Sequence, residues 1–503
     1  MLFNSYVFLF AFLPVALAGF YALSRLGRRP AAVWLVLASL VFYGWWDPRF
    51  VVLLVGSIAF NYTVSELLGR AAPRPRLQSA ILAAGISGDL LLLAYFKYLY
   101  TLLSFLAAHG ITDLTVAPIV LPLGISFFTF TQIGYLVDVK QGVAKERGLL
   151  NYVLFVTFFP HLIAGPILHN REMMPQFTDA SVYRFSGENF CVGATIFVIG
   201  LVKKCAIADP LSPAVGAIFA HPAGQPLALA WYGVLAYSMQ LYFDFSGYSD
   251  MAIGLARMFN LRFPLNFNSP FKATSVIDYW QRWHMTLTRY LTLYLFSPIA
   301  LWVTRRRAAA RSDVSRNASK TPGGFTSLVA FPTLVTMTLA GVWHGAGLQF
   351  IAFGVLHGVY ITINHAWRIF GPKRWGRERW PVHAACVLLT YLCACLGFLF
   401  FRAPSLGGAF DLLGGLLGAH GTGGAVPLGS VVWLAVLYVV VWLLPNTQQI
   451  MVRAQPALGR ILPGPFPVLQ WRMTLPWAMA VGVGALAALL SVGGTTEFLY
   501  FQF

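Results

Sequence analysis

Two histidine-bearing stretches stand out in a chain where titratable side chains are scarce. The first reads Asp278-Tyr279-Trp280-Gln281-Arg282-Trp283-His284 and the second Gly341-Val342-Trp343-His344-Gly345-Ala346-Gly347, followed by Leu356-His357-Gly358. An ionisable group at membrane depth is costly, so it is by default a functional-site hypothesis. A neutral imidazole can take the proton of a hydroxyl or thiol as that group attacks an acyl carbon. His344 is the strongest candidate, because Gly341, Gly345 and Gly347 let a substrate or a neighbouring helix come close to it. A histidine that only hydrogen-bonds a neighbouring helix would look the same locally. His284, among Trp280, Arg282 and Trp283 and six residues after Asp278, reads as part of a helix at the membrane interface, where an anchor with no chemistry of its own would look the same. His357 lies 13 residues beyond His344, which at about 100° per residue turns it off that face if one helix continues. It reads as structural, as do His161, His169 and His365.

A second polar island is Gln240-Leu241-Tyr242-Phe243-Asp244-Phe245-Ser246-Gly247-Tyr248-Ser249-Asp250. An acid inside an apolar span can orient a histidine, bind a cation, carry protons, or pair structurally with Arg257 or Arg282. No phosphate-binding glycine loop, no Gly-x-Ser-x-Gly elbow and no metal-spaced His/Cys cluster occurs. A nucleotide-like cofactor would have to meet scattered basic side chains in the loops. The cysteines Cys191, Cys205, Cys386, Cys393 and Cys395 read as small core residues.

The elements that must position these residues follow from composition. The chain has 503 residues, 58% hydrophobic and only 10% charged, against roughly 25% charged in soluble proteins. Sustained apolar runs argue for spanning helices rather than a barrel. The expected fold class is therefore an all-α polytopic membrane protein, organised as one integral-membrane domain over 1–503. Net charge is +18, with 35 Lys+Arg against 17 Asp+Glu. The excess sits in loops, where Lys and Arg set topology, so membrane lipid and not nucleic acid is the expected surrounding.

Candidate spans run from about Tyr6 to Leu23 and near 31–46, 50–68, 79–106, 116–137, 149–168, 187–208, 224–245, 285–304, 325–343, 348–367, 381–401, 426–445 and 473–491. Pro122, Pro160, Pro166 and Pro332 interrupt some of them, which predicts tilted or re-entrant pieces. The loops carrying Arg25, Arg28 and Arg29, then Arg70, Arg74 and Arg76, then Lys140, Lys145 and Arg147 alternate with a loop at 107–114 that has no Lys or Arg. This alternation places the N-terminus outside and those basic loops in the cytoplasm. Arg305 to Lys320 and the cluster Lys373, Arg374, Arg377 and Arg379 also fall inside, and the Gly-rich loop 406–425 and the C-terminus outside.

With these residues assembled, the chain resembles the membrane-bound O-acyltransferase (MBOAT) family, in its bacterial alginate O-acetyltransferase branch. The resemblance rests on an ordered set: Gly124 to Phe130 with Tyr135 to Val139, Phe159-Pro160-His161-Leu162-Ile163-Ala164-Gly165-Pro166-Ile167, Asp244 to Ala252, Leu265-Asn266-Phe267-Asn268-Ser269-Pro270-Phe271, Asp278 to Leu287, Trp343-His344-Gly345, and the closing Tyr500-Phe501-Gln502-Phe503. It implies a ring of tilted transmembrane and re-entrant helices around a central tunnel. It also implies that His344 matches the family's essential histidine and His284 its second characteristic one. The implied donor is cytoplasmic acetyl-CoA, with no metal. The implied acceptor is an exported, alginate-like polysaccharide, reached through a periplasmic acetyltransferase of the serine-hydrolase (SGNH) type, and the implied location is the bacterial inner membrane. D-alanyl transfer from a carrier-protein thioester to teichoic acid is the second enzyme reading. A histidine-dependent transporter or channel is the reading from another class, but the paired half-repeats it predicts are not found.

Overall fold

A computed structural model describes residues 1–114, 117–315, 317–372, 379–459, 461–492 and 499. Arg316, Lys373, Arg374, Arg377 and the closing Tyr500-Phe501-Gln502-Phe503 lie outside the described residues. The described chain is all-α, with one isolated bridge between Pro264 and Leu458. Among the described residues, five helices are long and apolar enough to cross a membrane: Arg49–Arg70, Pro75–Lys97, Gly187–Ala220, Pro322–His344 and Trp380–Arg402. Shorter apolar helices accompany them, so the chain is a polytopic helical membrane protein.

Prolines shape these helices in a repeated way. The π-helical segments Phe8–Phe12, Lys203–Ala208, Thr292–Phe296 and Thr326–Ala330 each end two residues before a proline: Pro14, Pro210, Pro298 and Pro332. A proline lacks an N–H and its ring crowds the carbonyl four residues back. Widening that turn gives the ring room and keeps the helix continuous. Pro332 therefore does not break its span, contrary to the sequence expectation.

Other expectations shift. The span near 116–137 begins as a helix only at Ile125, after a turn through Gly124 at φ 71°. The run 149–168 breaks after Thr157 and restarts as the short helix Phe159–Leu162, with Pro160 in its first turn. The span near 224–245 is a 32-residue helix, Leu227–Met258, that takes in the whole polar island. Leu406–Leu416 is a helix and not a Gly-rich loop, because the Ser405 hydroxyl caps it by accepting from the Gly408 N–H at 3.0 Å. The basic residues Arg305, Arg306 and Arg307 are the last turns of helix Ser297–Ala309. Cys191 is exposed, not a core residue.

The chain folds into two compact units. The first comprises Met1–Ala206, Phe245–Leu265 and Thr447–Gln502. Its core is aromatic: Phe3 stacks on Tyr248 at 4.7 Å between ring centroids, and Phe12 meets Phe159 edge-on at 5.2 Å. Helix Gly187–Val202 packs against the end of helix Leu227–Met258 through two glycine pairs. A Cβ on Gly193 would strike the Gly254 carbonyl, and one on Gly247 would strike the Gly200 carbonyl, each reciprocally. The pairs are seven residues apart on both helices, so they lie on one stripe where the backbones touch. Gly247→Leu is expected to destabilise the protein by about 1–3 kcal/mol or more through overpacking. Gly216→Ala, where an added Cβ meets nothing, is expected to leave the thermal midpoint in detergent unchanged or slightly higher.

The second unit comprises Ile207–Asp244 and Asn266–Asn446. Its centre is a hairpin of helices Phe331–His344 and Leu348–Phe370, turned through Gly345 and Gly347. Cβ atoms on Gly341 and Gly354 would run into the opposite backbone, at the Phe350 and Met337 carbonyls respectively. Helix Trp380–Arg402 lies against this hairpin at Gly397.

Candidate active site

Both predicted histidines lie in the second unit and both are buried, His284 at 2% and His344 at 7% exposure. His344 is the last residue of its helix. The ring is walled by aromatics: Trp343 at 4.7 Å, Phe401 at 5.0 Å and Phe353 at 5.8 Å between centroids, all near edge-on. The glycines beside it admit the partner helix, since a Cβ on Gly345 would overlap the Phe350 ring.

His357 does not face away. The helix ends at His344, and the returning helix of the hairpin carries His357 back, so that Phe353 touches both rings, at 4.7 Å from His357. Trp280 Nε1 donates to His357 Nδ1 at 3.2 Å, and a Cβ on Gly397 would overlap His357 Nε2. The 13-residue spacing misled because it assumed one continuous helix, which Gly345 and Gly347 interrupt.

His284 is not within a helix. Ser275 caps the short helix Val276–Trp280 by accepting from the Asp278 N–H, and Arg282 pairs with Asp278 at 2.8 Å. Trp280 and Trp283 are buried in the protein. The chain then turns a sharp corner at His284, which adopts the left-handed conformation (φ 44°, ψ 52°). Such strain costs about 1–3 kcal/mol and persists where surrounding contacts fix it. Here the segment Asn266–Asn268 fixes it: the Met285 N–H donates to the Asn266 carbonyl at 2.9 Å and the Asn268 N–H to the Arg282 carbonyl at 2.9 Å.

The Asn266 side chain determines the imidazole tautomer. Its Oδ1 accepts from the Thr286 hydroxyl at 2.8 Å and faces the Thr286 N–H at 3.4 Å, so the atom is the carbonyl oxygen. His284 Nδ1, 2.9 Å from the same oxygen, must therefore donate to it. A neutral His284 then keeps its lone pair on Nε2. Asn266→Ala is expected to free the ring and lower kcat by about 10²-fold, the cost of misplacing a reacting group. Asn266→Asp, which keeps an acceptor at that place, is expected to recover part of the loss with little change in KM. Asn266 and Phe353 were not identifiable as site residues from the sequence, since no spacing rule links position 266 to 284 or 353 to 344.

Asp250 orients no histidine. Its carboxylate accepts from Lys203 Nζ at 2.6 Å, Thr447 Oγ1 at 2.7 Å and Gln448 Nε2 at 3.0 Å, instead of pairing with Arg257 or Arg282. Within the second unit a hydroxyl chain, Ser238–Tyr391–Tyr438, runs at 2.5 and 2.6 Å. Tyr391 also packs on Phe271, itself stacked on Trp283. Among the described residues, no three His, Cys, Asp or Glu side chains cluster as a metal site.

A buried imidazole with a defined lone pair and a second one at a helix end suit proton transfer during acyl transfer. The comparisons agree with this class. The model of the MBOAT, membrane-bound O-acyltransferase family, matches residues 125–312, a range that contains His284. Over 453 residues the chain is 37% identical to the peptidoglycan O-acetyltransferase of Helicobacter pylori, covering 84% of this chain and 80% of that protein. It is 37% identical over 417 residues to the "Probable alginate O-acetylase AlgI" of Pseudomonas aeruginosa, covering 81% and 73%. A match to the teichoic acid D-alanyltransferase of Bacillus subtilis is 29% identical over 289 residues, covering 56% and 68%. The chain belongs to the membrane-bound O-acyltransferase family and is an acyltransferase.

Proposed function

We propose that this protein takes acetyl from cytoplasmic acetyl-CoA and passes it across the bacterial inner membrane for O-acetylation of an exported polysaccharide, with a periplasmic acetyltransferase completing the transfer. The observation that carries the reading is extended similarity to two proteins named as O-acetylating a glycan, over four fifths of this chain. Likeness to the D-alanyltransferase is lower and shorter, which favours acetyl over D-alanyl. The basic loops, with Lys140, Lys145 and Arg147 among them, support a cytoplasmic donor side.

In the proposed reaction, His344 accepts the proton of the attacking hydroxyl as its oxygen bonds to the thioester carbonyl carbon; when the C–S bond breaks, His344 returns that proton to the departing thiolate, so the hydroxyl carries the acetyl group and coenzyme A leaves as the thiol. Aromatic walls around His344 keep water from competing for the acyl group. His284, presenting Nε2, positions the thioester or stabilises charge as it opens.

The test uses purified protein with a periplasmic partner of serine-hydrolase type. Release of free coenzyme A from acetyl-CoA, dependent on the partner, is the expected result. Inertness towards acetyl-CoA, with turnover of a D-alanyl carrier-protein thioester, would replace acetyl by D-alanyl.

A further inference from the structure

His357 takes no part in the proposed reaction, yet within the second unit it joins the segment leading to His284 to the wall of His344. Trp280 Nε1 donates to its Nδ1 at 3.2 Å, with the two rings nearly perpendicular and their centroids 5.2 Å apart. The imidazole also touches Phe353 at 4.7 Å, the same side chain that walls His344. Helix Trp380–Arg402 closes off Nε2, because a Cβ on Gly397 would fall on that nitrogen. His357 is only 1% exposed, so contacts with protein, and not water, define its place.

The hydrogen bond from Trp280 fixes the tautomer of this ring. An indole N–H can only donate, so Nδ1 is the acceptor and the ring proton sits on Nε2. His284 is the reverse, donating through Nδ1 to Asn266. Trp280 is itself buried, so losing the acceptor would leave its N–H without a partner, a state that native structures rarely keep. Relief requires the indole to move, and its neighbours move with it. The Trp280 carbonyl accepts from the Thr288 hydroxyl at 2.9 Å, so residues 280 and 288 bracket the corner at His284. Trp280 also meets Phe353 edge-on at 6.5 Å. A displaced Trp280 therefore disturbs the His284 corner and the His344 wall together.

We propose that His357 is a positioning residue for acyl transfer: by accepting from Trp280 it sets the His284 corner against the hairpin arm that walls His344. This rests on the proposed reaction at His284 and His344, and a measurement without donor separates the two. Coenzyme A release is followed for the full-length protein with its periplasmic partner, and variants are compared at matched thermal midpoints. His357→Leu is expected to lower kcat by about 10²-fold, the cost of misplacing reacting groups, with little change in KM. His357→Asn, which puts an acceptor where Nδ1 stood, is expected to restore most of the loss. His357→Gln, whose polar end reaches the Nε2 position instead, is not. Trp280→Phe removes the donor while keeping the imidazole. It is expected to cost as much, with no further fall when His357→Leu is added. NMR of the ring nitrogens in isotope-labelled protein needs no donor. It should place the His357 proton on Nε2, and the His284 and His344 signals should move in His357→Leu and return in His357→Asn. Full activity in His357→Leu, equal losses in the Leu and Asn variants, additive losses with Trp280→Phe, or a proton on His357 Nδ1 overturns the proposal. Ring signals as predicted, in a protein inert towards acetyl-CoA, keep His357 in place and remove acetyl-CoA as donor; acetyl-CoA turnover with unmoved ring signals does the reverse.

Discussion

Replacing His344 with alanine is expected to lower acyl transfer by about 10²–10⁴-fold, the contribution of a positioned general base. The fall should appear in kcat more than in KM, because proton acceptance is needed in the transition state and not for donor binding. His344 is buried and touches Trp343, Phe353 and Phe401, so its truncation also opens a cavity in the core. His344→Gln, closer in volume, separates the two effects. A glutamine variant with a wild-type thermal midpoint and the same loss of kcat assigns the loss to chemistry. A glutamine variant with full activity would remove His344 from the reaction.

The largest expected effect on stability is at Asp250. Its carboxylate and Lys203 are 2.6 Å apart, with side-chain exposures of 7% and 13%, and Thr447 and Gln448 complete the carboxylate's bonding. The pair joins two segments of the first unit, and Thr447 and Gln448 bring in a third. Asp250→Ala takes this carboxylate from a buried ammonium, a change that costs about 3–5 kcal/mol. Replacing both partners, Lys203→Met with Asp250→Leu, is expected to recover most of it, since well-packed apolar pairs often match buried ion pairs in stability. A double-mutant cycle on thermal midpoints in detergent measures the coupling. Additive losses would mean that the ion pair does not link these segments.

Much of this architecture was readable from side-chain chemistry. Scarcity of charge and the length of the apolar runs gave an all-α membrane protein, and glycines crowded around His344 marked a close approach. What escaped were contacts that depend on where a helix stops. His357 was misplaced because Gly345 and Gly347 turn the chain back on itself. Helix Leu406–Leu416 was hidden by its glycines, each of which weakens a helix by about 1 kcal/mol relative to alanine; the Ser405 cap and packing offset this. Asp250 found Lys203 rather than Arg257 because a π-helical turn at Lys203–Ala208 and the glycine stripe set which faces meet. The bond from His284 to Asn266 joins residues 18 apart across a left-handed corner, and no periodicity reports such a corner.

Passage of the acetyl group across the bilayer is the central claim, and sealed proteoliposomes test it most directly. Protein is reconstituted with its basic loops facing outward, acetyl-labelled acetyl-CoA is supplied outside only, and the periplasmic partner is enclosed within. The account predicts that label accumulates on the enclosed partner while free coenzyme A stays outside, and that His344→Gln prevents both. Coenzyme A release with all of the label remaining outside would contradict it, leaving an acyltransferase that works on one face of the membrane.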